Sequence, residues 1–342
     1  MKFWLPHVVG GSGADVSTRF LAQGLRAAGH AAALQAFPHG FQYAPWLLEA
    51  AGPPRDVDVV ITNTWSGFAF HGRSTVNITV ERLFVLDPSY RPYRNFAQSV
   101  FHDHFVRHFV HRSVRTADAC IAVSRYTANT LASTLRVDTP QTILNAVDTH
   151  FFSPAMPDDR LADRDRRPFR LLFVGNLVRR KGSELLPEIM RRLGADFELW
   201  FTSGLRTPGG LKQYSNMRCL GQQSLASVRT SYRRADVLLF PSRLEGLPRA
   251  VMESMACGTP VIASDSASMA EVVDDGQTGW LCRPNDVDSF VDAVRRLASD
   301  IPTWERMTVA AREAAVQRFE LERMVDEYVA LAAKLLKQRQ CR

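Results

Sequence analysis

The chain has 342 residues, 46% hydrophobic and 23% charged, which suits two domains and excludes disorder for most of its length. Its 42 basic and 35 acidic side chains leave +7, but the excess is spread: residues 1–150 carry 13 basic and 10 acidic groups, the rest 29 and 25. That spread disfavours nucleic acid as a partner and leaves a mild preference for anionic ligands or surfaces. In chain order, Lys2–Val9 reads as a strand, followed by the loop Gly10–Gly13 and a helix to about Ala28. Val57–Thr62, Val76–Val80 and Ala119–Val123 are further β-branched runs, with a helix predicted over Phe101–Ala117. The second half repeats the pattern, with strands at Arg170–Val174, Glu198–Phe201, Val237–Phe240, Val261–Ala263 and Trp280–Cys282. Helices are predicted over Glu184–Leu193, Ser224–Ala235, Ala250–Ala256 and Val287–Ala298, and a last amphipathic helix over Leu321–Lys337.

Strands alternating with helices predict an α/β fold of two Rossmann-like, doubly wound domains. The expected boundaries are residues 1–152, a Pro- and charge-rich linker at 153–168, a second domain at 169–318, and a final helix at 319–342. Five scattered cysteines form no CxxC and fit reduced thiols rather than a zinc site or disulfide framework. No apolar run reaches 18 residues and the start of the chain has no secretory pattern, so a cytoplasmic location is expected.

Three segments carry chemistry. In PSRLEGLPRAVMESMACGTPVIASD, residues 241–265, Glu245 falls in the loop after a strand and Glu253 near the start of a helix. Gly246-Leu247-Pro248 between them allows close backbone approach, and the loop and helix start suit a diphosphate. The same acids also suit a solvated loop residue and a helix-start acid. In FVGNLVRRKGSELLPE, residues 173–188, Arg179, Arg180 and Lys181 follow a strand and precede a helix, a place to grip phosphate or simply a basic turn. Lys181 stands out because the chain has only five lysines against 37 arginines. The loop Gly10-Gly11-Ser12-Gly13 departs from GxGxxG, and no acid lies at the ribose offset, so a nicotinamide dehydrogenase is the poorer reading. All nine histidines lie at or before His150. His104 and His108 have i,i+4 spacing, but nothing nearby completes a metal site. With Arg107, Arg112 and Arg115 they suggest a basic face able to touch an anionic membrane.

Several ordered motifs resemble one family. EGLPRAVMESMACGTPVIASD looks like the E-x7-E region of the family 4 retaining glycosyltransferases, the group 1 glycosyl transferases of two-domain GT-B fold. FVGNLVRRKG resembles their V-G-R-L-x-x-x-K-G segment, ILNAVDTHFFSP their linker, and VVDDGQTGWLCRPNDVDSF their V-x-D-G-x-T-G-x-L segment. ACIAVSRYTANTL is similar to their A-V-S strand and helix, and CLGQQSLASVRTSYRRADVLLFPS to the stretch before the donor loop.

The resemblance implies two domains facing a cleft, a final helix at 319–342 returning to the first domain, and transfer of a hexose from a UDP- or GDP-sugar with retention, without metal or other cofactor. The acceptor would be a cell-envelope glycan, as in polysaccharide or lipopolysaccharide synthesis, or a lipid-linked species. The location would be cytoplasmic, with peripheral contact to the inner membrane face. By the same resemblance Glu245 would meet donor sugar hydroxyls, Glu253 the ribose and Lys181 the diphosphate. The backbone of Gly246 and Leu247 would help hold diphosphate and sugar, and Gly11, Ser12 and Gly13 would lie beneath it. Asn176 stands where the family has an Arg, leaving Arg180 as its replacement, and Ala267-Ser268 stand for a Gly-Gly pair. Glu81 stands where a His is common. Glu245, Lys181 and Glu81 are thus the candidate catalytic residues. The alternatives are a nucleotide-sugar epimerase and a non-catalytic sugar-nucleotide-binding protein of the same fold.

Overall fold

Short β-rich runs from each half of the chain pair only among themselves, so the sequence builds two parallel sheets. The structure is a computed structural model describing residues 1–10, 13–155, 160, 166–203 and 214–341. Two units result: Met1–Ala146 with Leu321–Arg342, and Val147–Glu320.

The first unit runs β1 (Lys2–Val8), α1 (Gly13–Ala27), β2 (Ala31–Phe37), β3 (Val59–Asn63), β4 (Val76–Glu81), α2 (Phe96–Phe101), α3 (Arg107–Thr116), β5 (Ala119–Ala122), α4 (Arg125–Leu135) and β6 (Gln141–Thr142). Strand order is β2-β1-β3-β4-β5-β6. Strands β1, β3 and β4 are buried on both faces, as a parallel sheet under helices requires. The order reverses between β1 and β3, a switch point where ligands settle beyond the carboxyl ends of strands. Strand β2 was not legible in advance. Its alanines carry no alternation, and its pairing to β1 from Lys2↔Ala31 to Val8↔Phe37 makes it a strand.

The helix predicted over Phe101–Ala117 is broken. It starts earlier, at Phe96, under a capping box of Asn95 and Gln98. A π-helical turn, His102–Val106, then separates α2 from α3 and interrupts the regular face on which His104 and His108 were placed.

The second unit runs β7 (Phe169–Phe173), α5 (Leu186–Leu193), β8 (Phe197–Phe201), β9 (Met217–Cys219), α6 (Leu225–Arg234), β10 (Val237–Phe240), α7 (Arg249–Ala256), β11 (Val261–Ser264), β12 (Gly279–Cys282), α8 (Val287–Ser299) and α9 (Ile301–Phe319). Its order, β12-β11-β10-β7-β8-β9, is the doubly wound arrangement with its switch point between β7 and β10. Leu171, Phe173, Leu199, Phe201, Val237 and Leu239 alternate onto one core under α5 and α8. Helix α9 was missed by the sequence reading. It adds Trp304 to that core, and the indole N–H donates to the Asp236 carbonyl at 2.7 Å.

The chain enters the second unit at Val147, six residues before the stretch read as a linker. Described residues of that stretch are tied into the second unit. Arg233 donates to the Ser153 carbonyl at 2.6 Å, buried Arg160 to the Gly258 carbonyl at 3.1 Å, and Arg167 pairs with Asp236 at 2.6 Å. Helix α10 (Leu321–Gln340) belongs to the first unit. It follows Glu320, whose extended backbone breaks it from α9. Gly24 of α1 leaves the room it needs: a Cβ there would sit 2.5 Å from Val325 Cγ2.

Candidate functional site

At the switch point of the second sheet, two loops converge. After β7 the chain passes Gly175 and makes a 3-10 turn over Arg179–Lys181, then reverses at Gly182 with φ +65°. A Cβ at 182 would lie 2.1 Å from the Pro241 carbonyl oxygen, so only glycine lets this turn rest on the loop after β10. The Arg243 N–H then donates to the Arg180 carbonyl at 2.9 Å, which fastens the two loops together.

Glu245 is the hub of that junction. Its Oε1 lies 3.2 Å from Arg180 Nη1 and 3.3 Å from Lys181 Nζ, and accepts from Ser242 Oγ at 2.9 Å. Burial alone would push this carboxyl up. Arg180, Lys181 and the Ser242 hydroxyl outweigh it and hold the group at about 2, so it is ionised at neutral pH. Arg180 also donates to the Leu244 carbonyl. Lys181 Nζ lies 5.3 Å over the Phe240 ring, and its side chain runs against Gly175. Asn176 takes no part in this pairing through any side-chain hydrogen bond or ion pair described here, whereas Arg180 sits inside it. Ser268 Oγ donates to the Glu245 carbonyl at 3.0 Å, and Ala267 before it holds φ +51°, which a glycine would adopt with less strain.

Gly246 and Leu247 are buried between Glu245 and α7. Glu253 lies on α7, one turn in, with both oxygens engaged: Arg249 Nη2 donates to Oε1 at 2.8 Å and the Tyr232 hydroxyl to Oε2 at 3.2 Å. Burial, and then the neighbouring Glu253 charge, push the Tyr232 phenol well up, so it stays protonated and donates. The sequence reading missed Ser242, Arg249 and Tyr232. The first two could have been found three and four residues from the two glutamates; Tyr232 comes from α6 and leaves no local signal.

The first unit carries its own cavity of about 230 Å³ at the carboxyl ends of β1, β3 and β4, lined by Gly10, Asp15, Thr64, Glu81 and Arg82 among others. Glu81 ends β4, 5% exposed. Thr64 Oγ1 donates to its Oε2 at 2.6 Å and the Leu83 N–H to its Oε1 at 3.1 Å. Burial nevertheless prevails and raises its pKa. Burial likewise lowers the Arg82 pKa, opposed by Tyr328, Glu81 and Asp15, and Arg82 Nε has no hydrogen-bond partner among the described residues. Asp15, in the first turn of α1, accepts from the Gly10 N–H at 3.0 Å. Gly13 begins α1 with open space around its Cβ position. Gly11 and Ser12 lie outside the described residues.

Two doubly wound sheets, each with polar groups gathered at a switch point, put the chain in the class of α/β proteins with crevices beyond the carboxyl ends of their strands. Comparison with known proteins narrows this. The family described as "Glycosyl transferases group 1" matches residues 168–300. The D-inositol 3-phosphate glycosyltransferase of Paenarthrobacter aurescens is 30% identical over 178 residues, 47% of this chain and 43% of that protein, so the match spans less than half of that relative. The alpha-maltose-1-phosphate synthase of Mycolicibacterium smegmatis is 29% identical over 313 residues, 81% of this chain and 79% of that protein. Among solved structures, Anabaena HepE in complex with UDP-glucose superposes with a TM-score of 0.77 over 98% of this chain and all of that one, at 16% identity, a likeness of fold alone. Residues 168–300 thus match the group 1 glycosyltransferases, and the two parallel sheets have the GT-B-like fold.

Proposed function

We propose that this protein is a retaining hexosyltransferase that moves a sugar from a UDP- or GDP-sugar to a cell-envelope glycan or lipid-linked acceptor. The observation that carries the reading is the Arg180–Glu245–Lys181 cluster at the β7/β10 switch point. The diphosphate meets Lys181 Nζ and the loop N–H groups near Gly246 and Leu247. The ionised Glu245 balances the two cations and accepts from donor sugar hydroxyls. Glu253 receives the ribose, exchanging one of its present partners for it. In the reaction the bond from sugar C1 to the diphosphate oxygen breaks, and a bond to the acceptor oxygen forms on the same face. The acceptor proton leaves with the nucleoside diphosphate. Lys181 stabilises the charge that develops on the leaving group. Glu81, in the first unit, orients the acceptor hydroxyl.

The test is nucleoside diphosphate release and product analysis over a panel of UDP- and GDP-sugars, for the native chain, Lys181→Ala and Glu245→Ala. Loss of turnover in both variants supports the assignment; full turnover in both sinks it. An altered sugar nucleotide formed without acceptor would mean an epimerase.

The first unit also suits peripheral contact with an anionic bilayer. No described helix is long and apolar enough to cross a membrane. Phe96 is 86% exposed, and Tyr43, Trp46, Leu47 and Phe105 are exposed as well. Arg91, Arg107 and Arg115 are exposed on the same stretch of chain as Phe96 and Phe105. Exposed aromatics with cations are the composition of an interfacial anchor. Co-sedimentation with phosphatidylglycerol vesicles checks this: the Phe96→Ser/Leu47→Ser variant should stay in the supernatant, and equal pelleting of variant and native chain rejects it.

A further inference from the structure

Helix α6 carries a polar stripe. Ser227, Thr230, Ser231 and Arg234 recur at the spacing of one helix face, Ser231 buried and the other three exposed. This stripe lines a cavity of about 250 Å³ together with Trp200, Arg218, Leu220 and Gln223. Trp200 stands on β8 and Arg218 on β9, the outer edge of the second sheet. The switch point that holds Lys181 and Glu245 lies between β7 and β10.

The chemistry of the lining is specific. Trp200 is 6% exposed, and its indole N–H has no hydrogen-bond partner among the described residues. A buried donor left unsatisfied costs stability, so it is a group waiting for an acceptor. Three guanidinium groups surround the ring, with Arg170 at 3.9 Å, Arg234 at 5.6 Å and Arg218 at 5.8 Å from it. Arg170 is committed, to Glu198 at 3.4 Å and to the Arg234 carbonyl at 3.0 Å. Arg218 and Arg234 make no ion pair among the described residues, and the lining contains no carboxylate. Two of the hydroxyls donate back to their own helix, Thr230 to the Ala226 carbonyl at 3.0 Å and Ser231 to the Ser227 carbonyl at 3.1 Å. Their lone pairs remain to accept from ligand hydroxyls.

We propose that this cavity is a second ligand site, binding one hexose ring that carries an acidic group, phosphate or carboxylate. The guanidinium groups of Arg218 and Arg234 take the anion, the Trp200 N–H donates to a ring substituent, and the α6 hydroxyls and Gln223 receive the sugar hydroxyls. The volume is below the roughly 300–1,000 Å³ of pockets for larger ligands, which fits a single ring. The site is separate from donor binding and goes beyond the transfer reaction proposed above.

Calorimetry on the full chain tests it, with glucose 6-phosphate, glucuronate, glucose and inorganic phosphate as probes. At least one acidic hexose should bind ten or more times tighter than glucose and than inorganic phosphate, and the better of the two identifies the anion. Arg218→Ser/Arg234→Ser, both exposed positions, should weaken that binding at least tenfold and leave the melting-temperature rise given by nucleoside diphosphates unchanged. Trp200→Phe keeps the ring and removes the N–H, and should weaken it severalfold. Lys181→Ala should leave acidic-hexose binding as it is, which separates failure here from failure of the donor-site reading. The proposal is overturned if neither acidic hexose outbinds glucose, if inorganic phosphate binds as tightly, if the double variant binds as the native chain does, or if Lys181→Ala abolishes binding.

Discussion

Each unit places a buried glutamate at the carboxyl edge of its sheet, and the two are treated oppositely. Glu245 faces two cations and a hydroxyl, which together pull it down to about 2. Glu81 has two hydrogen-bond donors and an adjacent buried Arg82, yet burial wins and its pKa rises. Both are buried carboxylates on similar scaffolds. The difference lies in the close cations: at 3.2 and 3.3 Å, Arg180 and Lys181 offset desolvation at Glu245. The second unit therefore holds fixed charge at its switch point. The first holds a carboxyl group whose pKa moves toward the neutral form.

The contrast breaks most visibly at Lys181. Lys181→Ala should lower turnover by 10²–10³, on the order of 2.7–4 kcal/mol of barrier, as for loss of one preorganised donor to a developing anion. Glu81→Gln should leave the melting-temperature rise produced by nucleoside diphosphates intact. A loss of that rise in Glu81→Gln, or its survival unchanged in Lys181→Ala, would dissolve the division of labour.

Next comes the turn that positions the cations. Gly182→Ala forces a left-handed φ on a residue with a Cβ and drives that atom onto the Pro241 carbonyl. The strain alone costs about 1–3 kcal/mol. Denaturant unfolding should show at least that loss, with weakened nucleotide binding. An unchanged midpoint would mean that the two loops move apart freely.

The smallest effect is the sharpest test of the electrostatics. A depressed acid stabilises the fold above its unfolded value and loses that contribution as pH falls through its folded value. Glu245 should therefore contribute fully above about 4.5 and progressively less toward 2, and Glu245→Gln should flatten that acid limb. Glu81 has the opposite sign. Its raised pKa means that the folded state holds the proton longer, so its contribution to stability declines as pH rises above 4.5. The stability of the native chain relative to Glu81→Gln should fall over that range. Urea titrations across pH 3–8 read both slopes, and slopes of equal sign would contradict the comparison.

Periodicity and motif order carried much of this molecule. β10 is Val237–Phe240 as the sequence reading had it, and α7, α8 and α10 fall within a few residues of expectation, because a run of apolar residues between turn signals depends on its own chain. The clustering of Lys181 with Glu245 was expected only through the family resemblance; the ion pairs of Lys181 and Arg180 with Glu245 join residues 64 and 65 positions apart in the chain. The π-helical turn at His102–Val106, the strand identity of alanine-rich β2 and the docking of Arg160 and Arg167 on the second unit had no local signature.

By itself, the sequence determined which segments are strands and helices wherever local hydrophobic period was strong, and which cationic and acidic residues the loops after β7 and β10 carry. Tertiary structure alone decided the opposite pKa shifts of the two glutamates, the burial of the Trp200 indole beneath α6 and the point where the chain passes between units. A pKa, a desolvated donor and a chain crossing are set by groups that packing brings near, and distance along the chain does not measure distance in space.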